Sequence, residues 1–364
     1  MYDFVVVGAG PAGSRFARRA AEEGYDVLAL EQGSVGKPLA CSGHVSTDVW
    51  EYAPDGARED LLQNEITGAR FYLTGPDDPE GEAYPFYTDE PISNVIDRVG
   101  LDEHLAAAAR EAGADLREHH TVTGVTEEDD HVVVSASTPD GSAQFRARMV
   151  AGCDGPVSRT RRDLGIDEPG ELLHGVLGFD ATADHADFVD VHLTTPRFFA
   201  WRIPRGEAGV EYGLAAPPGR EVRDLFEAFT DDYGVETADF CSGAIPIGPP
   251  KRVTSERGFL IGDAAAQTKP FTGGGILYGM TAADHAADTV DPERPKTLKR
   301  YEKAWRSDLS REIRLGSVLR RAYSLPEPVQ SAGLRAFSGE IGVHMDRPSS
   351  LFSRGQLRAL LSRS

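Results

Sequence analysis

Three glycine-bearing stretches, far apart in the chain, carry the residue types that hold the phosphates of a dinucleotide. The first stretch follows the apolar run 2–7. In it, Gly8 allows a tight turn, Gly10 lets the backbone approach a pyrophosphate, and Gly13 lets a helix pack against a strand. Glu31 ends the next apolar run, about twenty residues beyond the glycines, where a carboxylate can accept hydrogen bonds from a ribose. Because strand, glycine loop, helix, second strand and acid occur in the Rossmann order, this part predicts a site for an adenine dinucleotide.

The other two stretches each consist of a short apolar strand that opens into a turn with an aspartate. The second stretch, 149–155, contains Asp154, and the third, 258–265, contains Asp263 and leads to the glycine run 272–276. That run opens a helix whose first N–H groups favour anionic or electron-rich ligand atoms. Asp and Gly are also the commonest residues of ordinary turns, so either stretch alone would equally suit a structural turn. All three together, in this order after a Rossmann start, predict FAD.

These anchors predict an α/β fold with a Rossmann-type FAD-binding domain, an antiparallel-sheet substrate domain and C-terminal helices. The FAD-binding domain is expected to be discontinuous, because the third glycine stretch returns to it after a series of strand-like segments. The expected domains are 1–170 with 246–292 for FAD binding, 171–245 for the substrate sheet, and 293–364 for the helical region. Chemistry is expected where the two sheets meet.

The charge balance excludes nucleic acid as a partner, because 38 basic residues against 58 acidic ones give a net charge of −20. Only six of the basic residues are lysine. Strong acidity with scarce lysine predicts a halophilic protein, since the screening length of about 3 Å at 1 M salt reduces self-repulsion. Residues 293–364 carry a net charge of +8. We favour a solvated face paired with the acidic body, and peripheral docking on anionic headgroups at the inner face of the membrane is the alternative.

The cysteines and the hydropathy pattern indicate the compartment. Cys41, Cys153 and Cys241 are an odd number without framework spacing, so neither structural disulfides nor a metal cluster is expected. A strand begins at Tyr2, and no apolar run has the length of a membrane span. We therefore expect a soluble, cytoplasmic protein without a signal peptide.

The motifs resemble those of the flavoprotein family of geranylgeranyl reductases, within the wider class of FAD-dependent aromatic hydroxylases. The wider class matches at the three glycine stretches and at Arg98, where its members place an arginine near the FAD phosphates. The segment 36–43 is similar to the reductases' Pro-x-x-Cys-Gly segment, which lies against the flavin. The run 199–204 is similar to their aromatic-x-Trp-x-Phe-Pro strand along the lipid pocket, and 298–306 to the helix after their flavin domain.

The resemblance implies an FAD-dependent oxidoreductase that reduces double bonds of isoprenoid lipids, with reduced ferredoxin or NAD(P)H as the electron donor. Phe199 and Trp201 are assigned to the substrate pocket, although Trp201 would also suit a plain sheet core. Cys41 is assigned to proton handling or flavin packing, and a small buried apolar role is its alternative. The residues assigned to the cofactor are Gly8, Gly10, Ala12, Gly13, Glu31, Cys41, Ser42, Arg98, Val122, Asp154, Asp263, Gly275 and Ile276.

Departures from the family pattern leave the substrate open. Ser42 and His44 stand where the family usually has glycine, and Ile203 replaces a phenylalanine. An aromatic hydroxylase would share every FAD motif, but it would need NAD(P)H and polar groups that orient a phenol. A flavoprotein that passes electrons to a quinone is a further alternative, although no iron–sulfur cysteine pattern supports it. A halogenase is disfavoured, because no lysine between Lys37 and Lys251 could act as that family's catalytic amine.

Overall fold

A computed structural model of the protein describes residues 1–38, 41–219, 221–339 and 346–349. Two predictions lie partly outside the described residues. These are the segment 36–43 that resembles the reductases, at residues 39 and 40, and the predicted helical region, at 340–345 and 350–364. Within the described ranges the α-helices are α1 (Pro11–Glu22), α2 (Ala57–Leu61), α3 (Arg98–Glu111), α4 (Arg159–Asp163), α5 (Val222–Asp232), α6 (Ile276–Thr289), α7 (Leu298–Arg321) and α8 (Glu327–Phe337).

The first sheet is mainly parallel around its central strands and carries the three glycine stretches. Its described strands are β1 (Tyr2–Val7), β2 (Val27–Leu30), β8 (Asp115–Arg117), β9 (Thr121–Glu127), β10 (Val132–Thr138), β11 (Gly141–Gly152) and β17 (Gly258–Leu260). They are ordered β8-β2-β1-β11-β10-β9, with β17 on β11. The long strand β11 pairs antiparallel with β10 over its first half, and parallel with β1 and β17 over its second half. The three glycine stretches therefore follow neighbouring parallel strands and meet at the same edge of the sheet.

Aromatic side chains form the centre of the first sheet's core. Phe4 of β1 contacts Phe16 of α1 edge-to-face, with ring centroids 5.2 Å apart. Phe259 of β17 contacts Phe16 and also Tyr301 of α7. The hydroxyl of Tyr301 donates to the carbonyl of Leu260 at 2.7 Å, so its one polar atom is satisfied inside the core. This packing fixes α1 and α7 on one face of the sheet that presents the glycine loops.

The second sheet is largely antiparallel and faces the glycine-loop edge of the first. Its described strands are β5 (Gly68–Tyr72), β6 (Tyr84–Tyr87), β12 (Glu171–Asp180), β13 (Phe188–His192), β14 (Ala200–Pro204), β15 (Val210–Ala216) and β16 (Ala238–Ile247). They are ordered β16-β12-β15-β14-β13-β5-β6, and only β13 and β5 pair in parallel. Thus the sheet expected within 171–245 also takes in β5 and β6, from the range assigned to FAD binding. The domain boundaries themselves stay a prediction.

A small third sheet joins the two large ones. It consists, in the described chain, of β3 (His44–Ser46), β4 (Leu62–Ile66) and β7 (Ser93–Ile96), in the order β3-β7-β4. Helix α3 follows β7 directly and begins at a capped turn, because the carboxylate of Asp97 accepts from the N–H groups of Val99 and Gly100. The small sheet and this cap together place Arg98 beside the glycine loops. The α/β architecture predicted from the sequence is confirmed, and among the described helices none is sufficiently long and apolar to cross a membrane.

Candidate functional site

The glycine loop after β1 has two crowded positions and one open position. A Cβ on Gly8 would lie 2.5 Å from the carbonyl oxygen of Cys153, and Gly8 has a φ of +95°. A Cβ on Gly13 would overlap the carbonyl oxygen of Gly8, whereas a Cβ on Gly10 would meet nothing within 4 Å. Gly10 is also the N-cap residue of α1, and no side chain caps that helix end. The first N–H groups of α1 are therefore left for an anionic ligand, as a pyrophosphate requires.

Glu31 follows β2 and turns back to the glycine loop. Its Oε2 accepts from the N–H of Ala9 at 2.8 Å, and its Oε1 accepts from the N–H of Gly33 at 3.3 Å. These bonds hold the carboxylate at the end of β2, next to the loop, where a ribose would lie. Its contact with a cofactor stays a prediction.

The second and third glycine stretches pack directly against the first. A Cβ on Gly262 would lie 3.0 Å from the Cβ of Ala12. Arg161, which is buried, donates to the carbonyl of Ala264 and to the carbonyl of Pro156, each at 3.1 Å. This guanidinium therefore joins the turn after β11 to the turn after β17. Stretches separated by more than 100 residues form one cradle.

Arg98 supplies a buried cation with an unused donor at this cradle. The residue is 7% exposed, and its Nη1 lies 2.8 Å from Oδ1 of Asp102. Its Nε–H finds no acceptor among the described residues. A buried donor without a partner costs free energy, and a phosphate or an electron-rich ring atom would satisfy it. The cradle thus fits FAD in shape and in charge.

A cavity of about 980 Å³ extends from the cradle into the second sheet. Ten of the residues predicted from the sequence line it. They are Gly10, Ala12, Cys41, Ser42, Arg98, Phe199, Trp201, Asp263, Gly275 and Ile276. Residues assigned separately to cofactor and substrate therefore share one space, and their roles stay predictions.

The other five predicted residues do not line the cavity. Gly8 and Gly13 allow the close backbone packing of the first glycine loop, and Glu31 accepts a hydrogen bond from that loop. Val122 is buried in the core of the first sheet. The carboxylate of Asp154 accepts from the hydroxyls of Ser158 and Thr160 and from the N–H of Thr160. Asp154 therefore holds the turn whose next residue, Gly155, lines the cavity.

Asp263 lies at the start of α6, with its carboxylate against the backbone of Gly275. A Cβ on Gly275 would overlap Oδ1 of Asp263, so only glycine leaves room for the carboxylate there. Burial raises the pKa of Asp263 to about 6, and the nearby charge of Arg98 opposes the rise. Without a ligand, this acid is therefore partly protonated near neutral pH.

We expect the pKa of Asp263 to appear in the stability of the apoprotein. Its ordinary value is 3.8 and its folded value is about 6. The folded state therefore binds the proton more tightly, and the free energy of unfolding falls as pH rises from about 4 to 6. The two-unit shift corresponds to at most about 3 kcal/mol. Asp263→Asn should remove this fall, so that urea midpoints of the FAD-free variant change less between pH 4 and pH 6 than those of the unchanged protein. Parallel curves for the two proteins would contradict the assignment, and Asp288→Asn, at an exposed acid of α6, serves as the control.

The polar residues that line the cavity near the cradle include three that the sequence did not assign, namely His44, Ser93 and Lys269. His44 lies 2.7 Å, through its Nε2, from the hydroxyl oxygen of Ser93. Burial and the charge of Lys269 lower the pKa of His44 to about 4, so its imidazole is neutral at neutral pH. Lys269 is buried and pairs with Asp346 at 2.6 Å. The one sequence signal for Lys269 is its residue type, because lysine is rare in this chain and this one lies between the third glycine stretch and the glycine run 272–276.

Cys41 lines the same cavity as these polar groups. Its Sγ is 3.5 Å from the carbonyl oxygen of Ser42. Burial raises the pKa of the Cys41 thiol, although the neighbouring Arg98 opposes the rise. The thiol therefore stays protonated at neutral pH and can keep a hydrogen at the cavity wall.

An aromatic cluster forms the wall of the cavity on the second sheet. Phe199 contacts Trp201 and Tyr323 edge-to-face, with both centroid distances at 5.8 Å. The hydroxyl of Tyr323 donates to the carbonyl of Phe271 at 2.9 Å, which links the cluster to the third glycine stretch. The indole of Trp201 lies flat on Gly213, where a Cβ would come within 2.7 Å of its Nε1. This arrangement gives an apolar wall of fixed shape.

Comparison with known proteins agrees with this geometry. Residues 1–233 match the model of the FAD binding domain family. A digeranylgeranylglycerophospholipid reductase of Methanothrix thermoacetophila is 31% identical over 348 residues, covering 85% of this chain and 84% of its own. A crystal structure of a geranylgeranyl bacteriochlorophyll reductase-like protein from Thermoplasma acidophilum is similar with a TM-score of 0.84 and 23% identity, over 99% of this chain and 96% of the other. The p-nitrophenol 4-monooxygenase of Pseudomonas putida is less similar, with a TM-score of 0.70 and 19% identity, over 100% of this chain and 97% of the other.

Proposed function

We propose that this chain, which belongs to the FAD binding domain family and within it to the digeranylgeranylglycerophospholipid reductases, reduces carbon–carbon double bonds in the isoprenoid chains of a lipid. It is an FAD-dependent oxidoreductase. The lipid is the substrate, and a separate donor supplies the electrons.

The continuity of the cavity is the observation that carries this proposal. The residues that line it include Gly10 and Asp263 of the cradle and Phe199 and Trp201 of the second sheet. The other walls are aliphatic and aromatic side chains of the second and third sheets, of the last helices and of the turn between those helices. They include Ile66, Phe71, Val189, Val191, Leu319, Leu325, Val329, Leu334 and Phe337. An extended apolar space that joins a dinucleotide cradle suits a hydrocarbon chain better than a single phenol ring.

The residues of the cavity would act by position and by exclusion of water. FAD, when bound and reduced, supplies the two electrons and one hydrogen that a double bond takes up. The aromatic wall would hold one double bond next to the cradle and keep water away from it. The protonated thiol of Cys41 lies at the cavity wall, where it can provide the second hydrogen as a proton. Because an isolated double bond develops little charge, we expect positioning to contribute most of the rate.

Reduction of a lipid without oxygen tests the proposal. The FAD-loaded protein is reduced with dithionite under argon in concentrated salt and is mixed with a digeranylgeranyl glycerolipid. We expect reoxidation of the flavin, together with lipid products that gain two hydrogens per double bond by mass spectrometry. Reoxidation only by oxygen with a phenol, with one oxygen atom in the product, would favour an aromatic hydroxylase instead.

For the electron donor we propose a partner that binds transiently. The sequence has no second Rossmann glycine loop after a strand, so it offers no dedicated nicotinamide domain. Reduced ferredoxin and NAD(P)H are both suitable donors in principle. Stopped-flow reduction of the bound flavin by each, without other proteins, would distinguish them by rate.

Membrane contact is proposed at α8 rather than along the whole basic end. The side chains of Leu325, Val329 and Phe337 are 46%, 51% and 54% exposed, and all three also line the cavity. The basic residues at the start of α7 are far from them, because 24 helical residues span about 36 Å. Exposed arginines nearer to this opening, such as Arg314 and Arg321, suit anionic headgroups. A lipid could thus pass from the bilayer into the cavity beside α8.

We expect the double variant Val329→Asp with Phe337→Asp to lose binding to vesicles of phosphatidylglycerol. Each of these side chains would contribute about 1.5 kcal/mol or more when buried in lipid, so the loss should be on the order of 100-fold. Flotation on a density gradient measures it. Leu225→Asp, at an apolar residue of α5 that is 37% exposed and does not line the cavity, should float like the unchanged protein. Equal flotation of the double variant would remove this surface from the proposal.

A further inference from the structure

Glu211 is a buried acid within an otherwise apolar strand. It lies on β15, where all seven residues are buried, and it is only 1% exposed. No described Lys, Arg or His forms an ion pair with it, and Arg205 acts on it only from a distance. A buried carboxylate without a contacting cation must be stabilised by hydrogen-bond donors.

Three donors converge on this carboxylate. The Nε1–H of Trp201, on the neighbouring strand β14, donates to Oε1 of Glu211 at 2.9 Å. The hydroxyl of Ser42 and the N–H of Gly43 are also directed at the carboxylate, where they oppose the rise of its pKa. The oxygen of the Ser42 hydroxyl in turn accepts from the N–H of His44 at 3.1 Å. One acid therefore connects the second sheet to the loop that carries Cys41.

The backbone of the Cys41–Gly43 loop is held in place by close packing. A Cβ on Gly43 would overlap the carbonyl oxygen of Ile96, so the backbone of the loop lies directly on β7. Ser42 and Trp201 both line the cavity, whereas Glu211 itself does not. Any effect of Glu211 on a bound molecule must therefore act through these two residues.

We propose that Glu211 is a positioning residue: its carboxylate fixes Trp201 relative to the Cys41–Gly43 loop and so sets the shape of the cavity beside the FAD cradle. This inference rests on the proposed function, because it assigns this part of the cavity to an isoprenoid chain. Only a carboxylate offers acceptors to all three donors at once. A glutamine keeps one acceptor oxygen and brings two N–H donors, so at least one of the three donors loses its acceptor. Burial raises the pKa of Glu211, and the donors from Trp201 and Ser42 oppose the rise.

The first test needs no substrate. The chain has three tryptophans, and the indole N–H groups of Trp50 and Trp305 have no acceptor among the described residues. The indole N–H of Trp201 should therefore give a separate downfield peak in a ¹H–¹⁵N spectrum, identified by its loss in Trp201→Phe. Glu211→Gln should move this peak upfield and leave the other two in place. A peak that does not move would overturn the proposal.

A control at a partly buried acid distinguishes the position of Glu211 from the general effect of removing a hydrogen-bonded carboxylate. Glu127 on β9 likewise accepts from a serine hydroxyl, that of Ser255 at 2.7 Å, and from a backbone N–H, that of Arg257 at 2.5 Å. It does not line the cavity. Glu127→Gln should move none of the three indole peaks.

The second test measures the shape of the cavity through binding. Geranylgeraniol is titrated into the oxidised, FAD-loaded protein, and the flavin absorption band reports its dissociation constant. We expect Glu211→Gln to raise this constant at least about tenfold, with FAD content unchanged, since a buried donor loses its acceptor at the wall. Should Glu211→Gln not fold, Ser42→Ala and Trp201→Phe each remove one donor and should each raise the constant. Unchanged constants in folded variants would overturn the proposal, whereas failure of the unchanged protein to reduce the lipid would contradict only the proposed function.

Discussion

The Gly10→Ala variant is expected to bind FAD on the order of 10- to 100-fold more weakly while its apoprotein folds normally. The backbone at Gly10 has a φ of −69°, which alanine adopts without strain, and the added Cβ would meet no atom within 4 Å. The only space that the methyl group takes is the space where a pyrophosphate approaches the start of α1. Titration of the apoprotein with FAD, followed by quenching of flavin fluorescence, measures the loss.

Two other glycine variants show whether this effect belongs to the cofactor. Gly124→Ala, on β9, also adds a Cβ to open space, but it lies away from the cavity and should bind FAD normally. Gly13→Ala should instead destabilise the fold, because its Cβ would overlap the carbonyl oxygen of Gly8. Equal FAD affinity in Gly10→Ala and Gly124→Ala would show that the pyrophosphate does not lie at this loop.

The second large effect is expected from Gly213→Ala, which would displace the indole of Trp201. A Cβ at this position would lie 2.7 Å from Nε1 of Trp201 and closer still to two ring carbons. Since the indole is held by Glu211 on one side and by Phe199 on another, it cannot move without changing the cavity wall. We expect kcat/KM for the lipid to fall roughly 10- to 100-fold, because a small misplacement of a bound substrate costs that much. FAD affinity should stay within about twofold.

Adding Trp201→Ala to Gly213→Ala separates strain from loss of the wall. The double variant removes the overlap, so its thermal unfolding temperature should recover relative to Gly213→Ala. Its kcat/KM should stay low, because the indole is still missing from the wall. A single Gly213→Ala variant with unchanged kcat/KM would argue against Trp201 as part of the lipid pocket.

The local parts of the fold were readable in the sequence, and the long-range parts were not. The loop Gly8–Gly13 is recognisable from the sequence, because the turn, the approach of the phosphate and the packing of the helix each require glycine at a fixed spacing. The addition of β5 and β6 to the second sheet depends on a parallel pairing with β13, more than 100 residues away. No local pattern marks such a pairing, because strand propensity does not specify the partner.

The same distinction applies to the site. Residues named by motif, such as Arg98 and Asp263, line the cavity. Glu211 did not stand out, because its meaning depends on donors from two other segments rather than on its neighbours in sequence. A signal was present, since an acid within a continuous apolar strand must find partners. For Asp154, the motif indicated the correct turn, but the structure directs its carboxylate to Ser158 and Thr160.

The meeting of three distant segments at one cradle has a consequence for the lifetime of the protein in the cell. A ligand that binds only the native chain stabilises it by about 2.7 kcal/mol when its free concentration is 100 times its dissociation constant. Riboflavin supply would therefore govern not only the fraction of the protein that carries FAD but also how much of this polypeptide escapes proteases. Cells starved of riboflavin should degrade it faster than cells that have ample flavin.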